Sequence, residues 1–254
     1  MRRGVRTLRM STVVGLASAL VAVTGSTAVV AVDEARLGPV GIGQRVVTGI
    51  VADLPALGDG PAIRRYHRTG QFAADRGLVA SAARAALSAE IAAACPAGPA
   101  QCEEKRLAIV VDVDDTLLDW YPAYARHGFR LTAVERQARV RACATPVIGA
   151  VRDLVRDART AGVAVLVLSG RRDTVRSVTA ACLERRGIPA WQALVLRRPD
   201  QDALAASDYK AQAMRQLVSA GWRPVLSIGD QVGDVTAASG VAGFLLPNPL
   251  YRAR

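Results

Sequence analysis

The chain has 254 residues, 33 basic and 22 acidic side chains, and a formal net charge of +11. With 51% hydrophobic and 22% charged residues it is neither disordered nor collagen-like, and its length suits one globular domain with appendages. The arginines are scattered rather than gathered in a stripe with interleaved aromatics, so nucleic acid is not an expected partner. A net positive field instead favours small anions such as phosphate esters.

The N-terminus reads as an export leader. Arg2, Arg3, Arg6 and Arg9 precede an uncharged stretch from Met10 to Val32, and Ala28 and Ala31 offer small residues for cleavage. Residues 1–31 are therefore expected to be a signal peptide, or an N-terminal anchor if uncleaved, the one case in which the protein would meet a membrane. Without these residues the charge falls to +7. Residues 32–60, rich in Gly and Pro, are expected to be a linker, and 61–254 the folded domain.

A helix is expected over Gln71 to Ala94, closed by Cys95-Pro96. From Leu107 onward, continuous apolar runs alternate with helical segments. The runs are Leu107 to Val113, Val163 to Leu168, Ala193 to Leu196, Val225 to Ile228 and Val241 to Leu246. The helical segments are Pro146 to Ala161, Thr174 to Arg186, Tyr209 to Ala220 and Val232 to Ser239. Apolar runs of this length suit strands buried on both faces. The alternation predicts an α/β fold: a three-layer, Rossmann-like, mostly parallel sheet with helices on both faces. Ligands in such sheets bind beyond the carboxyl ends of the strands.

Polar residues gather at those ends. Asp112 and Asp114 follow the first run, and two carboxylates this close need a cation or shifted pKa values. One can attack phosphorus while the other protonates the leaving oxygen. Ser169 and Gly170 follow the second run and offer a hydroxyl and backbone N–H groups to a phosphate, at what is expected to be a helix N-terminus. Lys210 opens the helix after the third run and can stabilise charge on a phosphoryl group and on the nucleophile. Asp230 and Asp234 follow the fourth, where Asp230 can complete an oxygen-ligand Mg²⁺ site and Asp234 can orient it or Lys210. A lone acidic pair is more often a turn, and a lone serine an ordinary helix cap. Four such features at four successive strand ends make chance a poor explanation.

In this order the residues resemble the four motifs of the haloacid dehalogenase (HAD) superfamily of phosphohydrolases. Asp112 to Trp120 with Tyr121-Pro122, Ser169-Gly170-Arg171 and Gly229-Asp230-Gln231 resemble its secreted acid phosphatases, the plant vegetative-storage-protein-like and bacterial class B-like and lipoprotein groups. Tyr66, Gly70-Gln71-Phe72 and Asp75 resemble their N-terminal helical entry. The resemblance implies that Asp112 is the nucleophile, Asp114 the general acid and later base, and Ser169, Gly170 and Lys210 the phosphate holders. It implies Mg²⁺ on the side chains of Asp112 and Asp230 and the backbone carbonyl of Asp114, with the first and fourth strands side by side. Asp115 stands where many relatives have Glu, and no lipid-attachment Cys follows the leader, since the first cysteine is Cys95.

Residues 117–145 form a short cap insert that leaves the site open to varied esters. Its aromatics, Trp120 and Tyr121 among them, either meet a leaving group or pack the insert on the core; Arg171 is a further substrate-contact candidate. Cys95, Cys102, Cys143 and Cys182 permit two disulfides in three connectivities, or free buried thiols; Cys95 and Cys102 bracket a turn-rich loop suited to local closure. The expected function is an exported, Mg²⁺-dependent phosphomonoesterase acting on small phosphate monoesters through an aspartyl-phosphate. The alternatives are a narrower 5'-nucleotidase and a catalytically idle phosphate-binding or storage protein on the same fold.

Overall fold

A computed structural model describes residues 46–48, 54–188, 190–237 and 241–252. The expected signal peptide, residues 1–31, lies outside these described residues. Among the described residues, six parallel strands form one sheet: β1 (Val46–Thr48), β2 (Leu107–Val111), β3 (Ala164–Arg172), β4 (Ala193–Arg197), β5 (Arg223–Gly229) and β6 (Ala242–Leu245). Their order is β1-β6-β5-β2-β3-β4. The chain leaves β2 in one direction through β3 and β4, then returns to its other side with β5. That reversal opens a crevice between the ends of β2 and β5, where Asp112 and Asp230 emerge.

Side chains alternate across the sheet as the strand period requires. Leu107, Ile109, Val111, Val165 and Val167 pack beneath α2 (Gln71–Ala94), α6 (Gly149–Thr160) and α7 (Arg176–Arg185). Ala108, Val110, Leu166 and Leu168 face Tyr209, Ala213, Met214 and Leu217 of α8 (Ala206–Ser219) on the other side. The three layers and the parallel sheet are those expected. α9 (Val232–Val235) is a single turn, shorter than the expected Val232 to Ser239, whose last two residues lie outside the described ones.

The segment expected to be a linker, 32–60, is corrected in part. Its residues Val46–Thr48 pair with Gly243, Phe244 and Leu245 as an edge strand. α1 (Gly60–Arg68) begins at its end, capped by the Asp59 side chain, which accepts from the Ala62 N–H at 3.0 Å, with Pro61 in the first turn.

The insert after β2 holds α4 (Tyr121–Arg126) and α5 (Ala133–Ala142). Thr132 and Glu135 start α5 with a reciprocal capping box. A second core, built by Ile63, Tyr66, Phe72, Trp120, Tyr121, Tyr124, Phe129, Val140 and Leu250, joins α1, α2, the insert and the C-terminal segment. Of the alternatives open for the insert aromatics, packing is the one observed. Two disulfides form, Cys95–Cys102 and Cys143–Cys182. The first ties Cys95, just after α2, to Cys102 within α3 (Pro99–Glu104), and the second ties the end of α5 to α7.

Candidate active site

β2 delivers Asp112 to the crevice. Its backbone N–H bonds to the Ile228 carbonyl of β5 at 3.1 Å, continuing the ladder one residue past the strand. The Lys210 ammonium donates to Asp112 Oδ1 at 2.6 Å, to Asp234 Oδ1 at 2.7 Å and to the Leu168 carbonyl at 2.6 Å. All three of its protons are thereby directed, and α8 holds the charge between the nucleophile candidate and the acid from α9. Buried cations usually lose their proton, but these two carboxylates outweigh that tendency and hold Lys210 above its ordinary pKa.

Asp112, Asp230 and Asp234 are all buried, and ligand oxygens from the three lie within 4.8 Å of one another. Burial pushes the Asp112 carboxyl well above its usual range against the pull of Lys210, and Asp234, Asp230 and Asp114 add to the rise. Burial, then Asp234 and Asp115, pushes Asp230 up to about 8. One ammonium among three carboxylates leaves the cluster short of positive charge, the condition that a hard divalent cation with oxygen ligands relieves. Asp230 Oδ2 is oriented by Asn248, whose amide donates at 2.6 Å, and by the Gln231 amide. Asp234 is occupied otherwise, with Oδ1 on Lys210 and Oδ2 accepting the Gln231 N–H at 3.0 Å. Gly229 permits this arrangement, because a Cβ there would lie 2.2 Å from the Asp234 Cβ.

Asp114 occupies a different setting. Arg171 grips it with Nη2 at 2.6 Å from Oδ1 and Nε at 3.0 Å from Oδ2, and the Trp120 indole N–H donates to Oδ1 at 2.6 Å. Burial would raise this carboxyl, but Arg171 and then Trp120 outweigh it and hold Asp114 below the usual carboxylate range. Asp112 and Asp114 are thus driven in opposite directions two residues apart.

One expected placement changes, and two that were open are decided. Ser169 and Gly170 do not open a helix, since β3 runs on to Arg172 with an irregularity between Ser169 and Arg172. Ser169 is buried, its Oγ accepting the Arg171 N–H at 3.3 Å, and Gly170 is exposed at the cleft. Trp120 is 1% exposed and turns its N–H to Asp114 instead of offering its face to a substrate. Tyr121 stacks on His67 at 3.6 Å within the aromatic core, away from the cleft. Of the three substrate-contact candidates, Arg171 alone lines the cleft.

That cleft has a volume of about 1850 Å³ and contains Asp112, Asp114, Ser169, Lys210, Asp230 and Asp234. Its outer wall is made by Leu54 to Leu57, by Val134, Arg136 and Val140 of α5, and by Tyr251. Sequence reasoning missed Asn248, Tyr251 and Arg136. Asn248 had a legible signal, a polar residue just past the last apolar run, as at every other site position. Arg136 and Tyr251 had none, because the insert and the C-terminal segment meet only in the folded chain, where the Arg136 guanidinium lies 5.3 Å from the Tyr251 ring centre.

A parallel sheet with an acidic pair after β2, a lysine from α8 and further acids after β5 is the arrangement of a HAD-type domain. Residues 60–254 match the family model for the HAD superfamily, subfamily IIIB (acid phosphatase), and the chain belongs to that family. It is 34% identical over 146 residues to acid phosphatase 1 of Solanum lycopersicum, covering 56% of this chain and 57% of that protein. It is 32% identical over 146 residues to vegetative storage protein 2 of Arabidopsis thaliana, covering 56% and 55%. The chain thus spans little more than half the length of these relatives. In fold it is similar to the class C acid phosphatase from Bacillus anthracis, with a TM-score of 0.57, 22% identity, and coverage of 74% of this chain and 82% of that one.

Proposed function

We propose that this protein is an exported, Mg²⁺-dependent phosphomonoesterase that works through an aspartyl-phosphate on Asp112. The observation that carries the reading is the divergence of two neighbouring carboxylates. Asp112 is paired with Lys210 in a cation-poor acidic cluster, while Asp114 is held apart by Arg171 and Trp120. Held by separate partners, one carboxylate can attack phosphorus while its neighbour serves as acid and then base. The named relatives, an acid phosphatase among them, support the same class of chemistry.

In the first half-reaction an Asp112 oxygen forms a bond to phosphorus, the ester P–O bond breaks, and the leaving oxygen takes a proton from Asp114. In the second, Asp114 removes a proton from water, the water oxygen bonds to phosphorus, and the bond to Asp112 breaks to release phosphate. Lys210 opposes the negative charge on Asp112, and Ser169 and Gly170 offer their hydroxyl and N–H to the phosphoryl oxygens. Mg²⁺, held by Asp112, Asp230 and the Asp114 backbone carbonyl, would offset repulsion between nucleophile and ester.

The leader-like N-terminus and the two disulfides support export to an oxidising compartment. The idle storage reading leaves unexplained why both Asp112 and Asp114 are retained, since binding alone needs only one. The test is hydrolysis of 4-nitrophenyl phosphate and AMP with Mg²⁺ or EDTA. Turnover of both esters, lost in EDTA and restored by Mg²⁺, is expected. Turnover of AMP alone would favour the nucleotidase, and turnover of neither by folded, Mg²⁺-supplied protein would leave the binding reading.

A further inference from the structure

Asp114 is followed by Asp115, which holds a left-handed backbone at φ +55° without being glycine. Asp enters this region more readily than most residues, and local contacts select it. Here one guanidinium spans the loop. Arg76 of α2 donates from Nη2 to Asp115 Oδ1 at 3.1 Å and from Nη1 to Asp119 Oδ1 at 3.1 Å. The same two oxygens receive the backbone N–H groups of Trp120 and Tyr121, each at 3.0 Å. Trp120, fixed by this, directs its indole N–H onto Asp114. Arg76 is itself 5% exposed and lies 3.8 Å from the centre of the Phe72 ring.

We propose that Arg76, on the N-terminal helical extension, is a positioning residue for the general acid, holding Asp114 at the angle of proton transfer through the Asp115–Trp120 loop. This rests on the phosphomonoesterase reading. A planar, forked guanidinium is what the geometry requires, because it can satisfy two carboxylates on opposite sides of a loop, whereas an ammonium is a single point of charge. The extension is therefore part of the catalytic apparatus as well as a cover for the sheet. It acts on Asp114 and leaves the phosphate-side groups Asp112, Ser169 and Lys210 alone.

The role has a signature that loss of packing does not. A 4-nitrophenolate departs without a proton, but an alkoxide needs one, and proton donation by a positioned acid is worth roughly 10²- to 10⁴-fold. The experiment compares kcat/KM for 4-nitrophenyl phosphate and an alkyl phosphate in the wild type, Arg76→Lys, Trp120→Phe and the double variant. Arg76→Lys is expected to lower the alkyl value by about 10-fold or more and the 4-nitrophenyl value by less than about 3-fold. Inhibition by inorganic phosphate should stay unchanged, and the double variant should be no worse than its poorer parent. Equal losses on both esters, or losses that multiply in the double variant, would overturn the role. Should Arg76→Lys not fold, Asp119→Asn, which takes one of the two carboxylates from the Arg76 fork, carries the same comparison with the same expected and contrary results. Wild-type protein inert toward both esters would overturn the phosphomonoesterase reading and this role with it.

Discussion

Arg171 shows how one side chain can set the working pH of the site. Its two-pronged grip holds Asp114 below the usual carboxylate range against the effect of burial. An acid with a lowered pKa keeps its proton only at low pH, so the half-reaction that needs protonated Asp114 gains as pH falls. Arg171→Gln removes the opposing charge, lets burial raise the Asp114 pKa, and should move the descending, high-pH limb of log kcat/KM to higher pH; a limb that does not move would show that Arg171 leaves Asp114 alone. Asp112, Asp114, Lys210, Asp230 and Asp234 were legible in the sequence because each follows an apolar run and brings a charge that no core needs. Which of its two open roles Trp120 takes was not legible, because its spacing says nothing about which edge of the ring faces the carboxylate. Arg76 was illegible for a similar reason: its partners Asp115 and Asp119 lie about forty residues away and meet it only when α2 docks.

At the scale of elements, the insert is held to the core by more than its aromatic face. Cys143 ends α5 in a left-handed turn and is bonded to Cys182 of α7, and the Arg186 guanidinium donates to the Cys143 carbonyl at 2.7 Å. Since α5 carries Val134, Arg136 and Val140 into the cleft wall, this link braces that wall. Closing a loop of 39 residues is worth about 2 to 4 kcal/mol. Replacing both Cys143 and Cys182 by serine should lower the unfolding free energy by about that amount and raise KM for bulky esters more than for small ones. Equal KM changes, measured on esters of graded size, would show that the wall does not depend on the link. Periodicity could read the strands and helices of the sheet, whose apolar runs are set by burial on both faces. It could not read β1, three residues in a Gly- and Pro-rich stretch that only the edge of β6 makes into a strand.

For the molecule as a whole, the crevice concentrates ionisation strain that a cation would remove. Asp230, pushed up to about 8 by burial, keeps its proton in the folded metal-free protein while the unfolded chain has already lost it. The folded state therefore binds more protons between about pH 4 and pH 8, and stability must fall as pH rises through that window. Metal-free protein should melt lower at about pH 7.5 than at about pH 5, and Mg²⁺ should raise Tm more at the higher pH. A Tm indifferent to Mg²⁺ at both values would remove the cation from the cluster. The central step of the proposed function is the transfer of a phosphoryl group to Asp112. It is tested most directly by acid-quenching the protein during turnover of 4-nitrophenyl phosphate and mapping the phosphoryl group by mass spectrometry. The group should appear on Asp112, accumulate in Asp114→Asn, whose second half-reaction lacks its base, and be absent in Asp112→Asn. Sustained hydrolysis by Asp112→Asn, or a phosphoryl group on any other residue, would contradict the mechanism.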